Sequence, residues 1–319
     1  MKVSVIIPTL NAERWISRQL DSLFSQTIDA EKIVIDSGST DATCSLVLAH
    51  ADRVRLLKLP NEAFDHGGTR DYALRQSTGD IVCFLTQDAL PTDERCLEKL
   101  LAAFSAPNVA AVYGRQIAYP DAPEYERLTR MFNYPDQPRV WREEDIPYYG
   151  VKSYFFSNVC SAYRREVYLA VGGFDTPILC NEDMMMSAKL LHAGNALAYT
   201  PEAAVYHSHH YALRKEYQRN VWIGKVMEQY RDRLSGAKAD AEGWRMLVLS
   251  AADLRGKDAS ANCLAFLCVF ASALPGTGLA SARGKGAGYE ADRPAFRIQR
   301  RNVYPRAARQ PARTDAQGR

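Results

Sequence analysis

No C-x-x-C pair occurs in this chain of 319 residues, and its seven cysteines, Cys44, Cys83, Cys96, Cys160, Cys180, Cys263 and Cys268, lie mostly in apolar runs. An odd count without pairing predicts buried, reduced thiols and a reducing compartment. Long hydrophobic runs are missing too: the longest, CLAFLCVFASAL at 263–274, is too short to span a bilayer. The opening MKVSVIIPTLNAE has only a brief apolar stretch ending at a proline, unlike the h-region and cleavage site of a secretory signal. A cytoplasmic protein is expected, with contact at the membrane surface left open. Charge of one sign is also scarce. The formal +3 comes from the stretch after residue 274, where Arg and Lys far outnumber acids, and the body before it is slightly acidic. A nucleic-acid-binding body, which would need a basic face, is excluded. There is no internal repeat.

What is present in the first hundred residues is an alternation of two periods. VSVIIP (3–8), KIVID (32–36), VRLLKL (54–59) and DIVCFLT (80–86) read as strands buried on both faces. Between them, 11–26, 40–50, 69–77 and 92–104 read as helices, the first with Asn11 placed to cap it. This rhythm predicts an α/β fold with right-handed crossovers and a mostly parallel sheet. VAAVYGRQI (109–117) is strand-like, 119–150 is rich in Pro and Tyr with few regular signals, and 157–175 and 181–194 read as helix, turn, helix. Two strand-like pieces over 196–211 and helices over 213–234 and 240–274 follow; beyond Leu274 the composition predicts disorder. The domain reading is a catalytic unit over 1–235, a helical extension over 236–274 with possible membrane-surface contact, and a basic tail over 275–319.

In such sheets ligands gather at the carboxyl ends of the strands, and the polar signals fall there. PTLN follows the first strand, DSGSTD the second, and TQDALP the one ending near Leu85; these three loops should share an edge. Asp36 ends a strand beside a glycine turn, a position suited to a ribose or base N–H as well as to a helix cap. Asp88 is either a turn residue or the carboxylate of a divalent cation whose other ligands are diphosphate oxygens and water. In AFDHGGTRDYALRQSTGD (63–80), Gly67 and Gly68 suit a tight turn or a loop that brings main-chain N–H groups to a phosphate, next to Arg70. Glu182 and Asp183 open a helix, either as partners of its dipole or as a general base. In HSHH (207–210), His207 and His209 would share a face; a surface position and a metal ligand are both open.

Taken together, these segments resemble family 2 inverting glycosyltransferases of the GT-A fold, and more narrowly the bacterial rhamnosyltransferases among them. The family's P-T-[YLF]-N stands at Pro8–Asn11, its D-x-G-S-x-D-x-T at Asp36–Thr43, its G-x-x-x-x-F-L-x-x-D at Gly79–Asp88 after Arg70, and its GGFD…ED at Gly172–Asp175 with Glu182 and Asp183. The resemblance covers roughly 1–235 and implies a GT-A nucleotide-diphospho-sugar transferase in bacterial surface polysaccharide synthesis. It assigns Pro8, Thr9, Asp36, Gly67, Gly68, Arg70, Asp88 and Glu182 to the nucleotide-sugar, Asp183 to base catalysis, and Asp88, with His207, to Mg2+ or Mn2+. The implied donor is dTDP-rhamnose and the implied acceptor a glycan or polyprenyl-lipid-linked sugar. Two positions depart from the pattern: the D-x-D triplet is Thr86-Gln87-Asp88, and Asp71 stands where Asn is common. Two rivals are a sugar-phosphate nucleotidyltransferase, whose G-x-G-T-R loop GGTR resembles but which would carry it after the first strand, and a non-catalytic sugar-nucleotide or lipid-binding relative.

Overall fold

Alternation along the first strand sets the layers of the molecule. In β1 (Val3–Thr9), Val5 and Ile7 pack into one apolar cluster while Ile6 packs into another on the opposite face. The same division runs through β2 (Glu31–Asp36) and β4 (Ile81–Leu85), where Val34 and Cys83 face one side and Ile33, Val82 and Phe84 the other. Both faces are therefore covered, which explains strands that read as continuous hydrophobic runs. The computed structural model describes residues 1–61, 64–209 and 213–234. The extension over 236–274 and the tail over 275–319 lie outside the described residues, as do Cys263, Cys268 and His210.

The remaining strands are β3 (Arg55–Lys58), β5 (Leu90–Pro91), β6 (Val109–Ile117), β7 (Arg139–Trp141), β8 (Cys160–Arg164) and β9 (Ala196–Tyr206). The helices are α1 (Ile16–Phe24), α2 (Thr43–Leu48), α3 (His66–Gln76), α4 (Cys96–Ala102), α5 (Glu124–Asn133), α6 (Ile146–Tyr149), α7 (Arg165–Ala170), α8 (Glu182–His192) and α9 (Leu213–Gln229). The nine-stranded sheet runs β3-β2-β1-β4-β8-β6-β9-β5, with β7 also on β9. Strands β1 to β4, β6 and β9 point the same way; β5, β7 and β8 run against them. Leu20 and Leu23 of α1, Val47 of α2 and Leu97 and Leu100 of α4 cover one face. Leu74 of α3, Met185, Leu190 and Leu191 of α8 and Val226 of α9 cover the other. Each such aliphatic burial stabilises the fold by roughly 1.5–3 kcal/mol.

Three local readings of the sequence change. Asn11 does not cap α1, which starts at Ile16; it takes a left-handed backbone (φ 51°) and its side chain accepts from Thr40 N at 2.9 Å. Residues 160–164, read as part of a helix, form β8, whose antiparallel place between β4 and β6 is set by tertiary pairing. The segment 119–150 contains α5, β7 and α6. The five described cysteines are free; Cys83, Cys96 and Cys160 are buried while Cys44 and Cys180 are partly exposed, and burial pushes Cys83 up to about 12. Among the described residues no helix is long and apolar enough to cross a membrane.

Candidate active site

The ends of β1, β2 and β4 bring their loops to one edge, and side chains lace them together. Leu10 N donates to Gln87 Oε1 at 2.8 Å, Asn11 N to Ser39 Oγ at 2.8 Å, and Ala12 N to Thr43 Oγ1 at 2.7 Å. Pro8 and Thr9 close β1 opposite Ile35 and Asp36. Buried Asp36 accepts from Gly38 N at 3.1 Å and Ser39 N at 3.0 Å, and Thr9 Oγ1 lies 3.4 Å from it. The carboxylate thus organises its own turn, as an Asx motif does.

Strand β8 carries the second half of the site to the same edge, because it runs against β4 and sets Cys160 opposite Leu85. Thr86 N donates to Val159 O at 3.2 Å, so the segment before β8 lies against the Asp88 loop. Strands β6 and β9 end there too, with Ile117 opposite Tyr206. Their register depends on an irregularity between Gly114 and Arg115, where a Cβ at Gly114 would meet Ala203 O at 2.3 Å. Only glycine admits that bulge, which sets His207 N on Ile117 O at 2.9 Å.

Asp88, His207 and His209 converge here. Their ligand atoms all lie within 4.8 Å of one another, with His207 Nε2 3.4 Å from Asp88 Oδ1 and His209 Nδ1 3.8 Å from Asp88 Oδ2. Burial alone would raise the Asp88 carboxyl, but its contacts with His207, His209 and Thr86 outweigh it and hold the group well below the usual carboxylate range. Burial lowers both imidazoles, His209 to about 2, so they are neutral bases with lone pairs to give. His207 is 2% exposed and its Nε2 has no hydrogen-bond partner, which corrects the surface reading for this histidine. An orphaned ring nitrogen beside a carboxylate and a second imidazole fits a divalent cation, and two nitrogen donors suit Mn2+ better than Mg2+. The i, i+2 spacing of His207 and His209 was the signal that both belong together.

Asp183 and Glu182 open α8 after Asn181, which takes a left-handed backbone (φ 57°). Asp183 accepts from Asn158 N at 3.1 Å and Met184 N at 2.8 Å. Burial first, then the neighbouring Glu182 charge, pushes its carboxyl up to about 7. Glu182 remains ionised against its burial because Arg70 and then His66 lower it. Arg70 Nη1 lies 3.2 Å from Glu182 Oε1, both side chains being 7% exposed. Arg70 and Glu182 are thus turned inward on each other, next to Asp183.

Gly67 and Gly68 stand in a helix and not in a loop. They lie in the first turn of α3, which starts at His66 with Asp65 as its cap, Asp65 Oδ1 accepting from Gly68 N at 2.5 Å. A Cβ at Gly67 would meet Asp175 O at 2.4 Å, so glycine there permits close packing against the GGFD segment. Asp71 serves the same joint, accepting from Tyr168 Oη at 2.9 Å and Arg75 Nε at 2.7 Å.

Asp183, His207 and His209 all line one cavity of about 660 Å3, walled by Tyr134, Trp141, Tyr149 and Phe155 among others. The glycosyl transferase family 2 model matches residues 4–172. The chain belongs to glycosyl transferase family 2. This family 2 chain is 41% identical over 221 residues to the O-antigen chain rhamnosyltransferase RfbN of Salmonella typhimurium, covering 69% of the chain and 70% of that protein. It is 40% identical to WbaN of Salmonella anatum, also an O-antigen chain rhamnosyltransferase, over 68% and 69% of the two. Among solved structures it is similar in fold to the mannosyltransferase PcManGT of Pyrobaculum calidifontis, in complex with GDP-Man and Mn2+ (TM-score 0.59, 21% identity, 85% of this chain and 80% of that one). It is likewise similar to residues 1–349 of TarS from S. aureus (TM-score 0.59, 20% identity, 89% and 76%). These likenesses establish the GT-A fold of the transferase.

Proposed function

We propose that the chain is an inverting rhamnosyltransferase that moves rhamnose from dTDP-rhamnose onto a sugar acceptor, glycan or lipid-linked, in bacterial surface polysaccharide synthesis. The observation that carries this reading is the meeting of Asp183 with the His207–His209–Asp88 cluster around one cavity, in a chain 41% identical to RfbN. Asp183, titrating near 7, takes the proton from the acceptor hydroxyl as that oxygen attacks the anomeric carbon. The carbon–oxygen bond to the diphosphate breaks, the configuration inverts, and the proton stays on the Asp183 carboxyl. Asp88, His207 and His209 would hold Mn2+ or Mg2+, which when bound acts as a Lewis acid toward the diphosphate. Thr9 and the Asp36 turn line the edge where the nucleotide would lie. The aromatic walls of the cavity support a sugar acceptor, since ring faces pack against the apolar side of a pyranose while polar rims bond its hydroxyls.

Mixing dTDP-rhamnose with cell-envelope glycolipid acceptors should release dTDP and label the acceptor. Thermal stabilisation across a panel of nucleotide sugars should be largest with dTDP-rhamnose. Stabilisation by a different nucleotide sugar alone would reassign the donor, and absence of release with every donor would favour a binding protein. The basic stretch after Leu274 supports peripheral contact with an anionic bilayer. Sedimentation with anionic vesicles should therefore be stronger for the full chain than for one stopped at 274, and should weaken with salt.

A further inference from the structure

Two adjacent residues ahead of β8, Ser157 and Asn158, each reach a different part of the site. Ser157 Oγ accepts from Gln116 Nε2 at 2.8 Å, and the same amide nitrogen also bonds Tyr134 Oη. With its NH2 on two hydroxyls, buried Gln116 turns its Oε1 to His207 Nδ1 at 2.8 Å. Arg130 Nη2 lies farther from that ring nitrogen, at 3.2 Å, and also pairs with Glu126. An amide oxygen can only accept, so the nearer contact assigns the proton to Nδ1 and leaves the Nε2 lone pair toward Asp88. Asn158 works on the other side. Its Oδ1 accepts from Ser161 Oγ at 3.0 Å and Tyr163 Oη at 2.8 Å, which turns its Nδ2 to Glu182 Oε1 at 3.1 Å while its main-chain N–H holds Asp183 Oδ2 at 3.1 Å. In both cases hydroxyls partner the far end of the amide, and for Asn158 the Glu182 carboxylate, which can only accept, fixes the end that faces it.

We propose that Gln116 and Asn158, joined through the Ser157–Asn158 dipeptide, are positioning residues: Gln116 locks the His207 ring for the cation, and Asn158 locks the Glu182–Asp183 pair for proton removal. Each acts through the group it bonds. The inference rests on the function proposed above and adds how its two halves are held at a fixed separation: by one turn of backbone anchored to the Asp88 loop through Val159 O. Outer partners of metal-bound histidines typically contribute 10–100-fold in metal affinity. Gln116→Glu retains the acceptor at His207 Nδ1; Gln116→Leu, close in size, does not.

Mn2+ binding to the full chain, measured by electron paramagnetic resonance of the free ion, should weaken roughly 10–100-fold in Gln116→Leu and stay within about threefold of the wild type in Gln116→Glu. Asn158→Asp keeps the acceptor for Ser161 and Tyr163 but sets a carboxylate oxygen on Glu182. It should lower kcat by roughly 100-fold or more, the scale of a misplaced catalytic group, with Mn2+ affinity and donor KM nearly unchanged. Tyr163→Phe, which removes one orienting hydroxyl and little volume, should lower kcat in the same direction and supports the proposal if Asn158→Asp fails to fold. Wild-type Mn2+ affinity in Gln116→Leu alongside a weakened His207→Ala overturns the proposal alone. Unchanged affinity in His207→Ala overturns the cation site and the proposal with it. Equal loss of Mn2+ affinity in Gln116→Leu and Gln116→Glu, or unchanged kcat in both Asn158→Asp and Tyr163→Phe, also contradicts it.

Discussion

Asp183 is a part-buried carboxyl whose proton is held by desolvation and by the charge of Glu182, and both activity and stability should register this. As a base it must be ionised, so kcat should fall as pH drops through about 7. The stability sign is opposite. A carboxyl raised in the fold favours the native state below its unfolded value near 3.8 and loses that contribution as pH rises through about 7. Asp183→Asn should therefore melt above the wild type at pH 8 and show a shrinking advantage toward pH 4, read by calorimetry across that range. Arg70 gives a second residue-scale prediction. Its removal as Arg70→Met leaves Glu182 charged, buried and unpaired, a loss of about 3–5 kcal/mol in denaturant unfolding. If Arg70 instead acted as a surface ligand of the nucleotide, stability would be unchanged and only donor affinity would drop.

At the scale of elements, the joint between α3 and the GGFD segment carries much of the geometry. Asp65 accepts from Gly68 N and from Ile178 N at 2.7 Å, and Asp175 pairs with Lys189 Nζ at 3.0 Å and with Arg233, tying α3, α8 and the turn after α9 together. Gly67→Ala drives a methyl into Asp175 O, and we expect a loss of about 1–3 kcal/mol in chemical unfolding; a neutral outcome would mean the segment can retreat. The glycines were visible in the sequence, but not their reason: a composition that suits a loop is used here for a close helix contact, and the partner lies more than a hundred residues on. Strands β1 to β4 were legible because aliphatic runs with turn residues at their ends leave little alternative. Strand β8 was not, since CSAYR has no period of its own and becomes a strand by filling the gap between β4 and β6. For the same reason Gln116 and Asn158 carried no signal: neither lies in a motif, and their contacts depend on strand register. The acids Asp36, Asp88 and Asp183 were legible as strand-end and helix-start residues, whereas the inward turn of Arg70 depended on a partner that only folding supplies.

At the scale of the whole molecule, the sheet divides the work. Strands β1, β2 and β4 carry the Thr9, Asp36 and Asp88 loops, to which the proposed function assigns the donor, and β6, β7 and β9 with α5, α6, α8 and α9 build the aromatic cavity. The cation cluster sits at the seam, since Asp88 comes from one half and His207 and His209 from the other. Removal of divalent ions with EDTA should therefore abolish transfer, with Mn2+ restoring it more fully than Mg2+ given two imidazole donors. Full transfer in EDTA would contradict a cation-assisted departure. The most direct test of the account is the paired behaviour of Asp183→Asn with dTDP-rhamnose and Mn2+. Calorimetry should find donor affinity within about threefold of the wild type while turnover falls at least ~1,000-fold, the loss of a proton acceptor with its surroundings intact. Wild-type turnover in that variant, or a loss confined to donor binding, would contradict the assignment of Asp183 as the base.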